Sequence, residues 1–114
     1  MSQPHWQSNQ FNVRSTAGAA DTNAVLKAAP LASQSIYITD ITLNAGGTAR
    51  TWQLLDGSGG TVLWSYTTAI STPVQVVNLA IPIKLTAGTA LCDTNGGASA
   101  GGQIFVNGYV GRAA

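Results

Sequence analysis

The stretch Ser35-Ile36-Tyr37-Ile38-Thr39-Asp40-Ile41-Thr42-Leu43 alternates apolar and polar side chains, and it changes phase once. In an extended strand, Ile36 and Ile38 point to one face and Ile41 and Leu43 to the other. A regular strand would therefore leave half of these side chains in water. One added residue near Thr39-Asp40 restores a single buried face, which predicts a β-bulge there. A strand passing from one sheet to another would leave the same pattern.

On both sides of this stretch the chain keeps a period of two. Val62, Trp64 and Tyr66 are expected on one face, with Ser65 and Thr67 on the other. Trp52 pairs with Leu54 in the same way, and Ile104 with Val106 and Val110. Short apolar runs divided by Gly, Asn, Asp and Pro predict strands near 11–15, 24–28, 35–43, 50–55, 61–67, 74–79, 90–92 and 103–110. Asp56-Gly57-Ser58-Gly59-Gly60 reads as a hairpin loop whose glycines supply positive φ. Asn44-Ala-Gly-Gly47 is a second turn, and the segment from Asp93 to Gly102 is expected as a longer loop. Pro82, between Ile81 and Ile83, predicts an edge or a break. The helical rival, 21–29, is closed by Pro30 after barely two turns, so extended structure is preferred there.

These readings predict an all-β chain: a single β-sandwich, jelly-roll-like, of about eight short antiparallel strands with an extended N-terminal arm. Residues 1–21 are expected as arm and lead-in, and residues 22–114 as the sandwich domain. A chain of 114 residues has room for one core.

Composition narrows function further. Hydrophobic residues make up 45%, enough for a core, but charged residues only 8%, against about 25% in ordinary domains. Glutamate is absent, and the formal net charge is +1. Neither a nucleic acid nor an anionic membrane finds an electrostatic footprint. Neutral surface associates more readily than charged surface, which favours a homo-oligomer. The lone Cys92 makes no internal disulfide, and 1–14 has no apolar stretch of signal-peptide type. The expectation is a soluble product of a reducing cytoplasm.

Catalytic constellations are not visible. His5 lies in the polar arm with nothing near it in sequence to orient it. Cys92, in Ala90-Leu91-Cys92, reads as a buried, inert thiol. Each of the four aspartates lies near a predicted turn or bulge, so turn chemistry accounts for it more simply than paired carboxylates do. One Cys and one His cannot build a zinc site. Asp93-Thr94-Asn95-Gly96 alternates oxygen ligands but lacks the later acid of a calcium loop. No cofactor and no enzyme activity are expected.

Several stretches resemble small bacteriophage virion proteins of β-sandwich or jelly-roll-like fold. They are Thr22-Asn-Ala-Val-Leu-Lys-Ala-Ala-Pro30, Ser35 to Asn44, Trp52-Gln-Leu-Leu-Asp-Gly57, Val62-Leu-Trp64, Ile81 to Leu91, and Ile104-Phe-Val-Asn-Gly-Tyr109. The resemblance spans residues 22–111. It implies a capsid decoration or cement protein, oligomeric with a trimer favoured, whose partner is the major capsid protein on the virion surface. It carries no site residues across. From the residues themselves, Trp6, Phe11 and Arg14 are the candidate partner-binding side chains, since a polar arm with aromatic anchors can order on a neighbour. The rival reading is a glycan- or receptor-binding module of a phage fibre or tail, with Trp52 or Trp64 as an exposed sugar platform.

Overall fold

The computed structural model describes residues 9–16, 21–44, 46, 49–69, 73–95 and 102–113. The strands are β1 (Gln10–Arg14), β2 (Asp21–Lys27), β3 (Gln34–Asn44), β4 (Arg50–Asp56), β5 (Thr61–Thr68), β6 (Gln75–Lys84), β7 (Leu91–Asn95) and β8 (Gln103–Arg112). They form two four-stranded sheets, ordered β1-β8-β3-β6 and β2-β7-β4-β5. All pairings are antiparallel.

The order has a simple origin. Pairs β1–β8, β2–β7, β3–β6 and β4–β5 are those of one long hairpin with its tip between β4 and β5. Folding that ribbon over itself brings β8 beside β3 and β7 beside β4. The result is the double winding of a jelly roll. Its tip is the Asp56–Gly60 loop, where Gly57 and Gly59 adopt φ of 88° and 69°. Asp56 ties the tip down by accepting hydrogen bonds from the Thr86 backbone N–H at 3.0 Å and hydroxyl at 2.6 Å.

Thr39 is the bulge residue. Ile38 lies opposite Gly108 and Asp40 opposite Asn107, so Thr39 has no counterpart on β8. Ile36, Ile38, Ile41 and Leu43 consequently all face one core, each no more than 1% exposed. Without the bulge two of them would face solvent, at about 1.5–3 kcal/mol each. The strand does not change sheets. Trp52, Leu54 and Leu91 from the second sheet, with Ile104, Val106 and Leu85, complete the core.

Two expectations need correction. Val62 does not share a face with Trp64 and Tyr66, because a register shift puts Leu54 opposite Trp64 but Leu55 opposite Val62. Leu63 is the extra residue and packs against the core, while Val62 is left 44% exposed. Residues 93–95 are not loop but the second half of β7. The strand expected at 11–15 is present as β1, an edge strand hydrogen-bonded to β8 from Gln10 to Arg14.

Candidate functional site

The β6 edge is a poorly protected surface. From Gln75 to Asn78, β6 pairs regularly with β3, and it resumes pairing only at Ile83. Residues 79–82 stand opposite the single residue Thr39. Pro82 has no N–H to give to the ladder, so a departure there costs the sheet little. Ile81 is left 83% exposed, Val76 63% and Val74 56%. Edge strands are normally blunted by charge, yet the one charged residue of β6 is its last, Lys84. Its ammonium bonds the Ala113 carbonyl and lies 6.0 Å from the Tyr37 ring centre. An uncharged edge bearing three large apolar side chains is an association surface.

Of the three sequence-derived candidates, Trp6 lies outside the described residues. Phe11 packs against the protein's own core, opposite Gly108, with the Lys27 ammonium 5.5 Å from its ring centre. Arg14 is exposed on the outer face of β1, across from Phe105. The structure therefore does not gather Phe11 and Arg14 into one site: they sit on opposite faces of the strand. Neither aromatic of the sugar-platform reading is exposed as that reading requires. Trp52 is 1% exposed, and Trp64 is half-buried against the core.

A second feature escaped the sequence reading altogether. Asp93, 1% exposed, points into the sandwich from β7, as do Leu91 and Asn95. Asp21 stands opposite Asn95 on the neighbouring strand. Arg50 closes the cluster: its guanidinium donates to Asn95 Oδ1 at 2.7 Å and lies 4.5 Å from the Trp52 ring centre. The Trp52 indole N–H donates to Thr68 Oγ1 at 3.3 Å, and the Thr68 hydroxyl donates to the Arg50 carbonyl at 3.1 Å.

Burial, and then the Asp21 carboxyl beside it, push the Asp93 carboxyl up to about 7. Asp93 therefore keeps its proton to a higher pH than an ordinary carboxyl does. Burial lowers the Arg50 guanidinium pKa, and Asp21 works against that shift. Burial, then the Asp93 charge, raise the Cys92 thiol above its ordinary value. That leaves Cys92 an inert thiol rather than a thiolate.

Turn chemistry does not explain Asp93, contrary to expectation. Nor do Asp93, Thr94 and Asn95 form an alternating calcium loop, because Thr94 faces away and accepts the Asn23 N–H at 3.0 Å. Parity was the available signal, since Asp93 shares it with the core residue Leu91.

No family model matches the sequence, and no curated protein matches it. Among solved structures, the chain is similar to the coat protein of Tobacco streak virus at 14% identity. That alignment covers 99% of this chain and 91% of the other, with a TM-score of 0.41. At this identity and score, the likeness transfers no residue role and no activity.

Proposed function

We propose that this protein is a non-enzymatic structural component of a virion, a capsid decoration or cement protein that binds the outer capsid surface. The observation that carries the reading is the uncharged β6 edge with Val74, Val76 and Ile81 exposed beside unpaired backbone. Such an edge can gain a strand or an apolar partner through area alone, without an electrostatic match. The low overall charge supports the same role, because repeated weak contacts on a lattice of identical subunits sum by avidity. The major capsid protein is the partner in this proposal. The protein itself acts as a homo-oligomer, a trimer in the favoured arrangement, made in the host cytoplasm and carried on the particle.

In this proposal Trp6 anchors a neighbour, and Arg14, exposed on β1, adds a charged contact. Because β1 begins at Gln10, the informative truncation ends at Ser8. The test is particle binding. The full chain is expected to co-sediment with capsids in many copies, and removal of residues 1–8 to weaken attachment while the domain stays folded. A stable monomer absent from purified particles overturns the proposal.

A further inference from the structure

The outer face of the β1-β8-β3-β6 sheet carries a polar groove of about 540 Å³, lined by Gln10, Phe11, Asn12, Thr39, Asp40, Asn107 and Gly108. We infer that this groove is a binding site for a neutral saccharide. Its size lies within the range of small-ligand sites. The bulge creates it: Thr39, the residue without a counterpart on β8, re-aims its hydroxyl along the surface. That hydroxyl donates to Asp40 Oδ2 at 2.9 Å and lies 3.2 Å from the Asn107 carbonyl. The Asn12 amide donates to Asn107 Oδ1. Thr39 therefore holds Asp40, and the two asparagine amides hold each other, before any ligand arrives.

What remains unused selects the ligand class. Among the described residues, the Gln10 amide, the Asn107 NH₂ group and Asp40 Oδ1 have no protein partner. Primary amides present donors and an acceptor side by side, and a carboxylate accepts two hydroxyls, which together match a row of ring hydroxyls. No Lys or Arg lines the groove, and Asp40 repels phosphate, sulfate or carboxylate. Among the described lining residues the one large apolar side chain, Phe11, packs against the core, so little apolar surface is offered to a lipid. An uncharged, polyhydroxylated ligand satisfies all three conditions.

This inference rests on other residues than the shell-binding proposal does, because Arg14, Val74, Val76 and Ile81 are not among the groove's described lining. The full chain would be screened against an array of neutral and acidic saccharides, and hits titrated by calorimetry. The expected result is selective retention of neutral saccharides, weakened at least about tenfold in Asn107→Ala and Asp40→Asn at unchanged melting temperature. Asp40→Asn keeps an acceptor for Thr39 while removing the charge. Gln10→Ala and Asn12→Ala, both on the exposed side of β1, serve if either of the first variants fails to fold. Retention of no saccharide, preference for acidic saccharides, or neutral binding undisturbed by every folded variant overturns the inference.

Discussion

The two edges of the first sheet are finished in opposite ways. At the β1 edge, Phe11 and Val13 turn inward, Gly108 makes room beneath the Phe11 ring, and Lys27 from the second sheet lies over that ring. At the β6 edge, pairing lapses across 79–82, and Val74, Val76 and Ile81 face solvent. One edge closes the core; the other leaves apolar side chains and backbone groups without internal partners. Charge distinguishes them too. The closed edge carries Arg14 and is covered by Lys27, while the open one has only Lys84 at its end. A chain so poor in charge does not blunt an open edge by repulsion, so that edge is available for association.

Four substitutions test the contrast and a fifth the buried Asp93, from the largest expected effect downward. Gly108→Ala should abolish cooperative unfolding of the native domain, because a Cβ there would lie 2.0 Å from the Tyr37 carbonyl oxygen and 2.9 Å from Phe11 Cζ. Far-ultraviolet circular dichroism with a thermal melt reads this directly. Phe11→Ala removes the plug but not the backbone pairing, and should cost about 2–4 kcal/mol in urea unfolding. A loss under about 0.5 kcal/mol would mean that the edge is closed by something else.

Asp93→Asn comes next, and its effect depends on pH. Between about pH 4 and 7, the unfolded chain has released the Asp93 proton while the folded protein, with the carboxyl raised to about 7, keeps it. The contribution of this group is therefore full below about pH 4, declines as pH rises, and levels off above about 7, a fall of a few kcal/mol. The Asn variant should lose that slope and be the more stable form at pH 8. Equal slopes in the two proteins would break the assignment of the raised carboxyl to Asp93.

Smallest in stability is the open edge itself. Val76→Lys and Ile81→Lys should each change unfolding free energy by no more than about 0.5 kcal/mol. They should nevertheless shift sedimentation toward the monomer and reduce particle binding. Destabilisation as large as that of Phe11→Ala would make β6 a core element instead.

Much of this fold was legible from residue order. Period-two patterning located the strands, and the phase change between Ile38 and Ile41 located the bulge at Thr39, because the choice of face is a local property of an extended chain. The glycine-rich tip at 57–60 was equally local. The candidate site was far less legible. Phe11 looked like a free anchor because its neighbours in sequence are polar, whereas its real neighbours, Gly108 and Lys27, are distant along the chain. Val62 was misplaced because the bulge at Leu63 keeps the apolar pattern unbroken and so leaves no trace in it.

The amino-acid sequence alone determined that this protein is a low-charge, eight-stranded β-sandwich with a bulged third strand, since strand, turn and bulge preferences act between near neighbours. Only the tertiary structure decided which edge stays open, that Asp21, Asp93, Asn95 and Arg50 meet inside, and that Thr39, Asp40 and Asn107 frame a groove. Those features depend on pairings such as β2 with β7 and β3 with β8, which join residues 59 or more positions apart, and nothing local in the chain records them.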